Sequence, residues 1–507
     1  MNNDSMHITN QRGVLQDNQC EEDFIRFIRS RLGLVIKSHQ LYDLRKTIVD
    51  ASEKFHCTPS AYLELIKTSG VESPYLEFLI AGITIGETYF FRDDHQMQLL
   101  SENVLPALIQ SKRAANHFFL RIWSAGCASG EEIYTIAMLL REMLPDYQKW
   151  TLQLMGSDIN TASLKKAREG IYGEWSMRSI SDYYKNKYFN REKNQYHLHH
   201  DIRDAVNFMW LNLGSEDYPS MINNTNAQDL ILCRNVLIYF DDHHVRNLMK
   251  KLDACLVEGA FLMLGASDPI QIKNTSLSSY QKEGALLMHS TAKKEEKRPE
   301  PSLSDEPLVM YHDTYQKRKP EKITLPPKIS HKPKSDAVKS EIEKLMDESS
   351  WQDVINKLTG LDQNTLHQVD MLNIMATALA NIGKLDDAVL SCEESLGLDK
   401  TQKQTWVTLA MVLIEKNQLV EAESALRKAL FLDYQFVIAH LQLGLLLIRN
   451  GNIKKGLSSL LNALSITQSY SASKSVDGMK GMDYGRLADI LKHDIELYTD
   501  KEQVWKK

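Results

Sequence analysis

A period of 34 residues in the last third of the chain constrains its folding more than any other feature. GKLDDAV begins at Gly383, NQLVEAE at Asn417 and GNIKKGL at Gly451. In register with them stand columns of small residues: Ala376, Ala410 and Gly444; Ala388, Ala422 and Gly456; Ser395, Ala429 and Ala463. A further column holds Leu372, Trp406 and His440. Small side chains at fixed places let two antiparallel helices approach closely, and Leu379, Leu409, Leu413, Leu443 and Leu447 fill the seam between them. A unit of this length buries its apolar face only against a neighbour, so the copies predict a stacked, all-helical solenoid.

These columns resemble the tetratricopeptide repeat, in three helix–turn–helix units. The proline usual near each repeat's end is replaced by Lys400, Tyr434 and Gln468. Residues 339–361, with WQDVINKL, read as a degenerate leading repeat, and Leu487, Ile490, Leu491, Ile495 and Tyr498 as the apolar face of a capping helix. The resemblance implies a concave surface that docks a protein or peptide. A passive helical spacer is the plainer alternative.

Upstream of the repeats, seven of the thirteen prolines fall between Pro299 and Pro333, among charged runs such as KKEEKR. Such a stretch cannot bury enough apolar surface to fold, so residues 292–337 are expected to be a disordered linker. The 507 residues suit roughly three folded units. With 60 Lys+Arg against 66 Asp+Glu, the net charge is −6, which argues against a nucleic-acid partner. The six cysteines are scattered, none at C-x-x-C spacing, as in a reduced cytoplasmic protein. The polar N-terminus (residues 1–20, expected disordered) lacks a signal-peptide core, and no apolar run approaches the ~18 residues of a membrane span. Direct membrane insertion is therefore not expected.

From Trp123 to Thr291 apolar strands alternate with amphipathic helices: FLRIWSAG (119–126), WTLQLMGSD (150–158), DLILCRN (229–235), AFLMLGAS (260–267) and GALLMHST (284–291) are the strands. Alternation predicts an α/β, mostly parallel, doubly wound sheet with its ligand beyond the strands' C-terminal ends. There the chain reads Gly126-Cys127-Ala128-Ser129-Gly130-Glu131-Glu132. The glycines allow close backbone approach, but the two carboxylates and the missing Lys-Ser/Thr exclude a phosphate loop. Asp158, ending the second strand, suits ribose hydroxyls. A cationic nucleoside, S-adenosylmethionine, meets both demands; NAD is the runner-up, without an ordered G-x-G-x-x-G.

ITIGETYFFRD (83–93), WSAGCASGEEIYTIAM (123–138), SDIN (157–160), KAREGIY (166–172), WLNL (210–213) and CRNVLIYFD (233–241) resemble the chemotaxis-receptor glutamate methyltransferases, the CheR family. The resemblance covers about residues 20–291. It implies a helical N-terminal domain (21–82), a Rossmann-like methyltransferase domain (83–291) and methyl transfer from S-adenosylmethionine to glutamates on the cytoplasmic helices of membrane chemoreceptors. The solenoid would occupy 338–500.

By the same resemblance, Gly86, Thr88 and Arg92 reach the cofactor from the inter-domain junction, alongside Gly126. Glu132 and Asp158 hold the nucleoside, Asn212 and Leu213 flank the adenine, and Asn235 and Val236 lie beside the methionine portion. Arg92 and Tyr239 face the acceptor carboxylate. Two departures stand out: Gly86 replaces a common Asn, and Gly265-Ala266-Ser267-Asp268 replaces a common Gly-His-Ser-Glu.

A glutamate with pKa near 4.3 is already an anion at neutral pH, so no general base and no metal is expected. The site must align the reacting atoms and exclude water. His243-His244 read as a helix cap, and Cys127 and Cys233 as packing residues. Arg45 and Lys46 are expected to meet the receptor. The segment between Phe189 and Asn212 looks short for an inserted β-subdomain, so no receptor tether is expected there. Competing readings are a methyltransferase with a small acceptor and a catalytically weakened scaffold acting through its repeats.

Overall fold

The structure, a computed structural model, describes residues 18–69, 73–84, 86–215, 218–269, 271, 275–282, 285–290, 333–347, 350–366, 368–479 and 482–504. Residues 1–17 of the expected tail and 292–332 of the expected linker lie outside them. From Asn18 and from Pro333 the chain is helical, inside the bounds expected to be disordered.

Four helices, Asn18–Leu32, Leu41–Lys54, Pro59–Thr68 and Pro74–Ile83, form the N-terminal unit. Thr58 and Ser73 start the last two: each side chain accepts a backbone N–H of the first turn, and proline follows at the first helical position. Phe24, Ile28, Leu44, Ile48, Tyr62 and Leu79 are its fully buried centre.

The strands are β1 Phe119–Ala125, β2 Thr151–Asp158, β3 Ile171–Gly173, β4 Phe189–Glu192, β5 Gln195–Leu198, β6 Val206–Trp210, β7 Gln228–Cys233, β8 Leu256–Leu264, β9 Leu277–Lys282 and β10 Ala285–Ser290. Seven form one sheet in the order β6-β2-β1-β7-β8-β10-β9. From β6 to β8 every pairing is parallel; β10 is antiparallel to both β8 and β9. The expected strands are all present. β6 and β9 are additional, and their mixed polar and apolar residues lack the continuous apolar run of a two-sided buried strand. β1 is buried along its whole length, as a strand covered on both faces must be.

The remaining strands, in the order β3-β5-β4, make a small antiparallel sheet. This corrects the expectation of a segment too short for an inserted β-subdomain. The insertion begins at Ile171, upstream of the stretch judged short, and strands of three or four residues leave little alternation to read.

The repeats form the helix pairs Val369–Asn381 with Leu385–Leu398, Lys403–Glu415 with Leu419–Leu432, and Val437–Arg449 with Ile453–Gln468. Pro333–Asp347 and Trp351–Thr359 precede them, and Tyr484–Val504 follows. The small columns mark the closest approaches: a Cβ on Gly456 would stand 2.7 Å from the Gly444 carbonyl, and one on Gly444 2.6 Å from Leu460 Cδ2.

The solenoid does not stand apart from the sheet. Arg121, in the middle of β1, lies 2.7 Å from Glu415 of the second repeat, with side chains only 2% and 7% exposed. The contact is ionic rather than an aligned hydrogen bond. Arg121 also donates to the Asn224 carbonyl (3.1 Å) and Asn226 Oδ1 (3.0 Å), and Asn226 donates to the Ala380 carbonyl (3.4 Å). Met221 packs into the repeats' core, and Arg486 lies 4.6 Å from the centre of the Trp210 ring.

Asp494, on the last helix, is set among Arg168 of the sheet body and Tyr498 of its own helix. Burial pushes its carboxyl up to about 6, against the pull of Arg168. An acid with a raised folded-state pKa stabilises the fold below its unfolded value near ~4, and that contribution is lost as pH rises through about 6. Asp494→Asn is therefore expected to raise the melting temperature at pH 7, with the gain vanishing below about pH 4, as melts across pH will show.

Candidate active site

After Ala125 the chain turns sharply. Gly126 (φ +78°), Ala128 (φ +47°) and Gly130 (φ +87°) take left-handed conformations, and Gly130 caps the helix Glu131–Met143. A Cβ on Gly126 would lie 2.5 Å from Val236 Cγ2, so only glycine keeps this turn open. Over it, at the C-terminal ends of β1, β2 and β7, lies a cleft of about 320 Å³. Gly86, Thr88, Arg92, Gly126, Glu132, Asp158, Asn212, Leu213, Asn235, Val236 and Tyr239 all line it.

Asp158 closes β2 at the floor of the cleft. Its Oδ1 accepts the Asn160 N–H and its Oδ2 the Ala128 N–H, each at 2.8 Å. Burial pushes the carboxyl up, while these backbone donors pull it down. The Ile159 N–H also pulls it down, and a carboxylate with about four acceptor sites still keeps capacity for a ligand's hydroxyl. Asn212 is held by its own turn: its Oδ1 accepts the Gly214 N–H at 2.9 Å.

Glu132 is more engaged than its residue type suggested. One oxygen accepts from Ser124 Oγ (2.7 Å) and the other pairs with Arg234 (2.9 Å). Arg234 was missed by sequence reasoning, although it stands inside the CRNV run. Its side chain is 2% exposed and also donates to Gln96 Oε1 (2.5 Å) and the Arg92 carbonyl (2.6 Å). It thereby ties the segment carrying Thr88 and Arg92 to the sheet.

Asp268 is a second omission. Its carboxylate accepts the N–H groups of Gly265 (2.8 Å), Asn235 (2.5 Å) and Ile238 (3.3 Å), holding Asn235 at φ +60°. The replacement of Glu by Asp thus keeps an acceptor that shapes the cleft. The N-terminal unit supplies a wall through Leu34, Val35 and Ile36, and the Val35 N–H donates to the Tyr239 carbonyl at 2.9 Å.

Arg92 donates to the Glu87 carbonyl at 2.7 Å. Burial raises the Tyr239 phenol, opposed by Arg92, so it stays protonated and able to donate. Gly86 is exposed, and among the described residues a Cβ there would meet Ser163 Oγ at 3.4 Å and Ala128 Cβ at 3.9 Å. Gly86→Asn is therefore expected to fold normally and to tighten S-adenosylmethionine binding up to about tenfold, one hydrogen bond's worth, by calorimetry.

Of the two receptor-facing candidates, Lys46 is exposed, but Arg45 is held in an ion pair by both oxygens of Glu21. Its charge thus already has a partner within its own domain. Asp241 caps the helix Asp242–Cys255 and engages His244 (2.8 Å) and Arg29 (2.6 Å). Although Asp241, His243 and His244 stand within ligating reach of one another, the carboxylate already has these partners. Cys127 and Cys233 are buried, and burial pushes both thiols well up.

The glycine turn, a floor of buried carboxylate and a wall of aliphatic residues fit a cationic nucleoside. The profile of a family described as CheR methyltransferase, SAM binding domain, matches residues 86–285. "Chemotaxis protein methyltransferase 2" of Vibrio cholerae serotype O1 is 33% identical over 255 residues, 49% of this chain and 85% of that protein. The "Chemotaxis protein methyltransferase" of Borreliella burgdorferi is 35% identical over 212 residues, 41% of this chain and 73% of its own. Among solved structures, a thermophilic TPR protein of Thermus thermophilus matches at 16% identity and TM-score 0.24, covering 26% of this chain and 73% of that one. No helix among the described residues is long and apolar enough to cross a membrane.

Proposed function

The chain belongs to the CheR family of chemotaxis methyltransferases, and from that premise we propose that it esterifies glutamate side chains on the cytoplasmic helices of membrane chemoreceptors. It is a methyltransferase whose methyl donor is S-adenosylmethionine. The observation carrying the receptor-glutamate reading is the makeup of the cleft, which both the Arg92 cation and the Tyr239 phenol line. That arrangement suits an acceptor that arrives already ionised.

When bound, S-adenosylmethionine supplies an electrophilic methyl on a sulfonium. Asp158 would receive ribose hydroxyls on its remaining acceptor sites. Asn212 and Leu213 would flank the adenine, with Asn235 and Val236 beside the methionine portion. Glu132, neutralised by Arg234, would set the electrostatic balance near the sulfonium. Arg92, anchored on the Glu87 carbonyl, would position the acceptor carboxylate without fully pairing it, and Tyr239 would direct it by a hydrogen bond. Leu34, Val35 and Ile36 would exclude water, which otherwise dulls a carboxylate nucleophile.

The domain division 21–82, 83–291 and 338–500 belongs to the same proposal, as do action in the cytoplasm and a protein or peptide partner for the repeats. Membranes carrying candidate receptors, incubated with the enzyme and labelled cofactor, are expected to acquire base-labile label, the mark of a methyl ester. Arg92→Ala should lose it. Label that survives base, or none in any receptor membrane, would refute the glutamate reading. Comparing the full chain with residues 1–291 then reports what the repeats add.

A further inference from the structure

Arg178 follows the short helical turn Glu174–Met177 that leaves β3, so it belongs to the small inserted module, and it does not line the cleft. Its guanidinium nevertheless reaches the segment that carries Arg92. One nitrogen donates to the Glu87 carboxylate at 3.2 Å and another to the Trp175 carbonyl at 2.7 Å. Its central carbon lies 3.4 Å from the centre of the Tyr89 ring and 4.1 Å from that of Trp175. Two rings cannot share one face of a guanidinium at that range, so the cation is stacked between them.

Glu87 and Tyr89 are also the residues that Arg92 touches: it donates to the Glu87 carbonyl and stands 5.8 Å from the centre of the Tyr89 ring. The two arginines therefore share both partners. Glu87 meets Arg92 with its main chain and Arg178 with its carboxylate, and the Tyr89 ring attracts both cations. Just beyond, the main chain is fastened: Phe90 N–H donates to the Ser176 carbonyl (3.0 Å), Phe91 N–H to Thr135 Oγ1 (3.2 Å), and Arg234 to the Arg92 carbonyl. Those bonds fix the backbone of Arg92 and leave its guanidinium to choose a carboxylate. The half-exposed Glu87 carboxylate is one side chain's length from the carbonyl that Arg92 already holds. Left unpaired, it would compete for Arg92 at an intramolecular advantage that an incoming acceptor lacks.

We propose that Arg178 is a positioning residue for methyl transfer: by pairing the Glu87 carboxylate and packing on the Tyr89 ring, it keeps Arg92 turned toward the acceptor carboxylate. This deepens the reading of Arg92 as the acceptor-facing residue and rests on it. Arg178 acts through Glu87 and Tyr89 and touches neither cofactor nor acceptor. The small inserted sheet thereby takes part in the reaction, through the turn that follows β3.

In the full chain, Arg178→Met fills the space between the rings and leaves Glu87 unpaired. Labelled methyl transfer into receptor membranes is expected to fall about tenfold or more in kcat/KM. Cofactor affinity by calorimetry and the melting temperature should stay near those of the parent, because so exposed an ion pair adds little stability. Arg178→Lys should retain most of the activity. Combining Arg178→Met with Glu87→Gln should regain most of it, since an amide does not draw Arg92 away; a purely structural role leaves the double variant no better than the single. Arg178→Gln repeats the test where methionine disturbs folding. A crystal structure of the Arg178→Met protein reads the same effect without any acceptor: Arg92 is expected on the Glu87 carboxylate. Undiminished transfer, no recovery in the double variant, or Arg92 unmoved overturns the proposal. If the parent labels no receptor membrane, the receptor reading fails on its own, and the position of Arg92 in the crystal decides this one.

Discussion

Arg234→Met is expected to abolish methyl transfer and to cost about 3–5 kcal/mol of folding stability, the range for breaking a buried ion pair by removing one partner. The guanidinium is 2% exposed and bridges Glu132, Gln96 and the Arg92 carbonyl. Methionine fills similar volume but leaves the Glu132 carboxylate, 13% exposed, paired only with Ser124. It also frees the segment bearing Thr88 and Arg92 from the sheet. Arg234→Lys keeps a charge but cannot reach three acceptors in three directions, so it should restore part of the stability and little of the activity. Urea melts and labelled methyl transfer measure the two effects separately. A stable, active Arg234→Met protein would show that the Thr88–Arg92 segment needs no such anchor.

Asp158→Asn should weaken S-adenosylmethionine binding by about a hundredfold or more. Each hydrogen bond to a charged acceptor contributes roughly 1.5–3 kcal/mol, and the carboxylate's remaining acceptor capacity is offered to the ribose. The amide nitrogen would also face either the Ala128 or the Asn160 N–H, donor against donor. Calorimetry with the cofactor reads the loss, and near-ultraviolet circular dichroism shows whether the sheet is retained. Unchanged affinity with an intact spectrum would move the ribose elsewhere in the cleft.

The residues of the cleft were legible because each sits at a place where backbone geometry and chemistry coincide. Gly126 must be glycine for its positive φ and its contact with Val236, and Asp158 must follow a strand to face a ligand at the sheet's C-terminal edge. Arg234 and Asp268 were less legible. Their roles lie in hydrogen bonds to main-chain groups and side chains remote in sequence, such as Gln96 and Gly265, and no local spacing announces those. The Arg45–Glu21 pair was not legible either, since a basic residue on a helix reads the same whether it faces a partner or an acid of its own domain.

Taken alone, the sequence determined the local elements: the strand–helix alternation, the turn at Gly126 and the helix pairs with their small-residue columns. These follow from propensities and periodicities that act over a few residues. Only the tertiary structure decided how the solenoid meets the sheet. That arrangement turns on Arg121 and Glu415, each an ordinary charge in its own segment, and on Met221 entering a core formed by distant repeats. A buried charge becomes readable only once its partner is brought beside it, and burial is a property of the folded chain rather than of any stretch of it.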